Sequence, residues 1–118
     1  MKQDTPAGAD KHLAAADAAA LLAALPGWRI EGEVAGGQLC KEFRFADYAA
    51  TIRFVVAVAA IAEEEDHHPD LAVGYGRVGV SFTTHDCGGL SDKDFRCAGR
   101  VATLARSGKE APGAGAAS

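Results

Sequence analysis

Residues Asp47–Pro69 read DYAATIRFVVAVAAIAEEEDHHP, and the reading of this stretch decides the fold. Asp47 has the short carboxylate that suits a helix cap or first turn. Tyr48, Ile52, Val55, Val56, Ala59 and Ala62 recur at three- and four-residue steps, which predicts a long helix with that stripe turned to a core. The run ends in four acidic side chains and two histidines. Pro69 stops it, because the residue before a proline is pushed out of the α region. The helix is therefore expected to run into the acidic cluster and to close on His67 and His68.

On both sides of this helix the period changes to two. Downstream, Leu71, Val73 and Tyr75 alternate, Gly76-Arg77 is expected to turn the chain, and Val78, Val80 and Phe82 alternate again. That is a β-hairpin, with Tyr75 expected at the edge of the core and a bare second face of Ala72, Gly74, Gly79 and Ser81. Upstream, WRIEGEV and QLCKEFRF flank Ala35-Gly36-Gly37 and read as a first hairpin, with Leu39, Lys41, Phe43 and Phe45 on one parity. Before it, LAAADAAALLAALPGW from Leu13 onward reads as a helix that Pro26-Gly27 ends. A last helix is expected after Ser91, over residues 92–106. The order α-β-β-α-β-β-α is that of an α+β fold with antiparallel pairs and helices packed on one sheet face.

Composition bounds the rest. The chain has 118 residues, 48% of them hydrophobic, enough for one domain with a single small core. Residues 1–10 and the Gly/Ala-rich residues 107–118 are expected to be disordered, leaving residues 11–106 as the folded unit. No apolar run reaches the length of a membrane span. The start MKQDTPAGADKH lacks the apolar segment of a secretory signal, which predicts a cytoplasmic protein. The net charge is −4 and the Lys and Arg residues are scattered, which argues against a nucleic-acid surface. The three cysteines, Cys40, Cys87 and Cys97, show no C-x-x-C spacing and read as free thiols.

Three of the four histidines, His67, His68 and His85, fall in the second half. If the strand after Pro69 pairs with the strand ending at Thr84, all three imidazoles can reach one rim of the sheet. Histidine gives and takes protons near neutral pH, and one charged and one neutral imidazole could run an elimination, acid at the leaving oxygen and base at the departing proton. Glu63 stands four residues before His67, the spacing for contact on a helix. The plainer readings are that a cationic imidazole complements a helix C-terminus, and that Ser91-Asp92-Lys93-Asp94 is a capping box. The histidines and Cys87 could ligate a metal, but zinc-type spacings are missing. Asp66 and His67 with Ser91 lack the G-x-S-x-G context of a hydrolase triad.

Glu63, His67-His68-Pro69, Tyr75, His85 and Asp94, with the run Thr83–Ser91 and upstream Gly27-Trp28, Phe43-x-Phe45 and Asp47, resemble the signature of the pterin-4a-carbinolamine dehydratases. The resemblance implies a four-stranded antiparallel sheet with three helices on one face. It implies elimination of water from 4a-hydroxytetrahydrobiopterin-type pterins to give the quinonoid dihydropterin, in recycling linked to aromatic amino acid hydroxylases, with no metal or organic cofactor. It implies catalytic roles for His67, His68 and His85, without assigning acid and base among them. Asp66, Thr83, Thr84 and Asp86 would line the pterin site with the three histidines, and Glu63 and Asp94 would orient or charge-tune the imidazoles. A homodimer or homotetramer is also implied. The alternative is a non-enzymatic binding module of the same fold, a dimerisation cofactor for transcription factors or an assembly factor for a carbon-fixing enzyme. Retention of the histidines favours the enzyme.

Overall fold

The computed structural model describes residues 12–84 and 88–106. The expectations for the two chain ends, for His85 and Asp86, and for Cys87, lie outside these residues. The elements follow the expected order: α1 (Ala15–Leu22), β1 (Arg29–Glu31), β2 (Gln38–Arg44), α2 (Tyr48–Glu65), β3 (Asp70–Val73), β4 (Arg77–Phe82) and α3 (Asp92–Arg106). The strands form one antiparallel sheet in the order β1-β2-β4-β3, with Leu39 opposite Phe82, Phe43 opposite Val78, and Leu71 opposite Val80. Leu39, Phe43, Val78, Val80 and Phe82 are buried beneath the helices. The opposite face carries Arg29–Glu31 and Arg77–Glu42 ion pairs and the small pair Ala72–Gly79. The fold is α+β, as the sequence pattern requires.

The cap on α2 is as expected, with the Asp47 carboxylate accepting from the Ala50 amide at 2.8 Å. Its buried stripe is not. The helix turns Ala50, Thr51, Phe54, Val58, Ile61 and Ala62 to the core. Tyr48 and Val56 stand 53% and 63% exposed, so of the expected stripe only Ala62 is buried. The helix is apolar around most of its circumference, and a three–four period then fits more than one face. Packing decides: Phe54 lies 4.8 Å from Phe43 and 5.0 Å from Phe45, ring centre to ring centre, anchoring α2 on β2. Burying that ring contributes about 2–3 kcal/mol.

Two turns also differ from expectation. α1 ends at Leu22, short of Pro26, because the chain tightens into i→i+3 bonds (Ala24 N to Leu21 O, Leu25 N to Leu22 O) that swing Leu25 into the core. The second hairpin turns at Gly74–Gly76, with Arg77 already in β4. Gly76 is held there by close approach, since a Cβ would sit 2.8 Å from the Phe45 carbonyl. Tyr75 is thus at the exposed tip, 68% accessible and stacked on Tyr48, not at the edge of the core.

α3 buries Phe95, Cys97, Ala98 and Val101. It is clasped to the end of α2 by Arg96 to Glu65 (3.0 Å), Arg100 to Glu65 (3.1 Å) and Arg100 to Glu64. This clasp brings the start of α3 beside the end of α2. None of the described helices is long and apolar enough to cross a membrane.

Candidate active site

The acidic cluster does end the long helix, but one turn earlier than its histidines. α2 stops at Glu65, and Asp66 adopts a left-handed conformation (φ 51°, ψ 44°). The Asp66 amide bonds back to Glu63 O and the His67 amide to Ala62 O, the paired bonds of a Schellman closure. An aspartate tolerates this conformation better than most residues. His67 and His68 therefore leave the helix in extended backbone before Pro69, and their side chains diverge to different partners.

His67 turns inward, its side chain only 11% exposed. Its ring lies 5.9 Å from that of Phe82 and within 10° of parallel, so the last inward residue of β4 is its platform. Its Nε2 lies 2.6 Å from Oδ1 of Asp94, which is wholly buried. Asp94 comes from the first turn of α3, where its other oxygen accepts from the Ser91 amide at 2.9 Å and from the Thr84 hydroxyl at 2.7 Å. The carboxylate half of the capping box is thus made. The Ser91 hydroxyl, however, pairs with Thr84 Oγ1 at 2.7 Å. A carboxylate only accepts, so the Thr84 hydroxyl and the Ser91 amide donate to Asp94, and His67 completes a set of three donors in the form that carries a proton on Nε2.

His68 turns outward. Its Nε2 lies 2.7 Å from Glu63 Oε2, with the two side chains 55% and 77% exposed. The expected Glu63–His67 contact across one helical turn is not made. The left-handed step at Asp66 removes His67 from the helical position and carries His68 back over Glu63. Of the other predicted residues, Asp66 is exposed at the helix end, and the Thr83 hydroxyl donates to Gly37 O at 2.8 Å. The Thr84 hydroxyl is taken by Asp94. The described residues therefore gather His67, Thr84 and Asp94 in one network and Glu63 and His68 in a second. Two contributors were not among the expected pterin-site residues: Phe82, legible as the last inward position of its strand, and Ser91, read as a cap and weighed as the nucleophile of a hydrolase triad.

The surrounding charges are strongly engaged. Hydrogen bonds from Arg96 and Arg100 hold the Glu65 carboxyl below the usual carboxylate range. Glu64 and then Glu65, by hydrogen bonding, raise Arg100. Burial, with Glu65 nearby, pushes the Cys97 thiol up to about 11. Among the described residues no three His, Cys, Asp or Glu side chains are grouped to hold a metal ion.

The family model described as pterin 4 alpha carbinolamine dehydratase matches residues 11–104. A protein of Xanthomonas campestris pv. campestris named "Putative pterin-4-alpha-carbinolamine dehydratase" is 53% identical over 97 residues, covering 82% of this chain and 80% of the relative. One of the same name from Stenotrophomonas maltophilia is 52% identical over 98 residues, covering 82% of each. Among solved structures, the transcriptional coactivator/pterin dehydratase from Brucella melitensis superposes with TM-score 0.73 at 28% identity, over 80% of this chain and 99% of that one. A pterin dehydratase-like protein identified as a RuBisCO assembly factor in the alpha-carboxysome gives TM-score 0.57 at 34% identity, over 67% of this chain and 89% of that one. On the match to its family model and the identity to these relatives, the chain belongs to the pterin-4-alpha-carbinolamine dehydratase family.

Proposed function

We propose that the protein eliminates water from 4a-hydroxytetrahydrobiopterin-type pterins to give the quinonoid dihydropterin. One imidazolium gives its proton to the 4a oxygen as the C4a–O bond breaks. Another imidazole takes the N5 proton as the N5=C4a double bond forms, so water leaves and the acid and base are restored by proton exchange. His67, His68 and His85 are the acid–base set, and Asp66, Thr83 and Asp86 line the pterin. Glu63 orients His68, and Asp94 orients His67.

The observation that carries this reading is the 2.6 Å bond from His67 Nε2 to a carboxylate with no solvent exposure. The start of α3 needs the Asp94 carboxylate as a cap but needs no imidazole on its other oxygen, whereas proton transfer needs that imidazole held in one tautomer and orientation. The test is loss of the carbinolamine absorbance with purified protein, beside the spontaneous background and the His67→Ala variant. Acceleration that collapses in the variant supports the reading. A folded protein that gives no acceleration refutes it and favours the binding-module alternative, which the name of the RuBisCO assembly factor keeps in view.

A further inference from the structure

We propose that Thr84 and Ser91 are positioning residues for proton transfer, fixing Asp94 so that His67 keeps its proton on Nε2 and presents Nδ1 to the substrate. The proposal rests on the dehydratase reading and assigns the ring atom through which His67 acts.

The hydroxyl of Thr84 has one proton, and it goes to Asp94 Oδ2 across 2.7 Å. Ser91 Oγ lies 2.7 Å from Thr84 Oγ1, so the Ser91 hydroxyl must donate to Thr84. A hydroxyl that is itself hydrogen-bonded as an acceptor becomes a stronger donor, and the chain Ser91→Thr84→Asp94 therefore points its polarity at the carboxylate. The Ser91 amide reaches the same oxygen at 2.9 Å. With two donors on Oδ2, rotation of the carboxylate would break both bonds, and Oδ1 is left facing His67 Nε2 at 2.6 Å.

The imidazole is equally constrained. Phe82 lies nearly parallel beneath it, and turning the ring over would break the bond to Asp94. Nδ1 has no hydrogen-bond partner among the described residues. It is not sealed in the core either, because the fully buried side-chain polar atom without a partner among these residues is Trp28 Nε1. Among the described residues Nδ1 is thus the ring atom of His67 without a hydrogen bond: a lone pair in the neutral ring, a donor in the cation. Thr84, expected from the resemblance to touch the pterin, acts through Asp94 instead.

The tautomer is read directly from long-range proton–nitrogen correlation spectra of the nitrogen-15-labelled full chain, with His67→Gln to assign the signals. The neutral His67 ring of the wild type is expected to be protonated on Nε2. In Thr84→Val its signals should average between tautomers. The kcat should fall by roughly ten- to a hundredfold, the rate equivalent of one hydrogen bond to a charged group. The KM should stay within about threefold, the pattern of a lost transition-state interaction. Thr84→Ser should restore both readouts, and Ser91→Ala should move them in the same direction as Thr84→Val by less. A wild-type ring protonated on Nδ1 overturns the proposal. So does a Thr84→Val protein with a raised KM and an unchanged tautomer, which makes Thr84 a pterin contact. If wild type fails to accelerate the reaction, the dehydratase reading falls, and the spectra still decide whether the network holds His67. If Thr84→Val does not fold, the wild-type and Ser91→Ala spectra carry the same decision.

Discussion

Gly89→Ala should damage this protein more than its conformation suggests. The segment that enters α3 is tied to the first hairpin by a bridge between Ala35 and Gly89. Gly36 N donates to Gly88 O at 2.7 Å and Leu90 N to Val34 O at 3.0 Å. A Cβ on Gly89 would lie 2.3 Å from Val34 O and 2.9 Å from both Ala35 Cα and Gly36 N. All of these are backbone atoms, with no flexible side chain to yield, so the bridge must open. Two hydrogen bonds at about 1 kcal/mol each, with at least about 1 kcal/mol for the overpacking, put the cost near 3 kcal/mol. For a domain of this size that lowers Tm by on the order of 15 °C. Gly88 supplies the control: its φ of +78° is the left-handed one, but nothing lies within 4 Å of its Cβ position. Gly88→Ala should therefore cost only the conformational penalty of about 1–2 kcal/mol. Urea unfolding followed by the fluorescence of the buried Trp28 measures both. If Gly88→Ala proves the more destabilising, close backbone approach is not what holds the entry to α3, and the reasoning fails.

Phe54→Ala should cost about 3–5 kcal/mol, whereas Val56→Ala, on the exposed face of the same helix, should stay within about 0.5 kcal/mol; equal losses in urea unfolding would reverse the assignment of the two faces. Glu65 titrates below the usual carboxylate range in the folded chain, so its contribution is fully present above the unfolded value of about 4.3 and is lost as pH falls through the lower folded one. The stability difference between wild type and Glu65→Gln should accordingly shrink on acidification, and a difference that stays constant from pH 7 to pH 3 would contradict the Arg96–Glu65–Arg100 clasp. The Cys97 thiol, raised to about 11 and buried, should resist iodoacetamide at pH 8 in the native chain and react once the chain is unfolded, as peptide mass mapping would show.

Much of the fold was legible because its signals are local. The Asp47 cap, the alternation of Val78, Val80 and Phe82, and the closing of α3 by the Asp94 carboxylate on the Ser91 amide each depend on a few neighbouring residues, and each stands in the structure. The face of α2 was not legible, since a helix with apolar residues on several sides leaves the choice to the shape of what packs against it. Phe43 and Phe45, distant in sequence, make that choice for Phe54. In the site, the resemblance named Glu63 and Asp94 as partners of the histidines, but the helical spacing gave Glu63 to His67. A single left-handed residue, Asp66, transfers it to His68. Aspartate and histidine both tolerate the left-handed conformation, so residue type leaves Asp66, His67 and His68 all open as the place where the chain makes that step. Thr84 was read as lining the pterin, and only the approach of α3 reveals that its hydroxyl faces a carboxylate.

Asp94 closes its helix and braces His67 with the same carboxylate. The two duties make it a poor witness to chemistry. A chain of this fold that had lost its activity would still gain from an aspartate there, because the start of α3 needs the cap. His68 has no such second duty: exposed, and bonded to an exposed glutamate, it could be lost with little harm to the core. On the proposed reaction, the solvent-facing imidazole is then the more informative position for sorting members of this family into enzymes and scaffolds, and the buried carboxylate, for all its chemical prominence, the less.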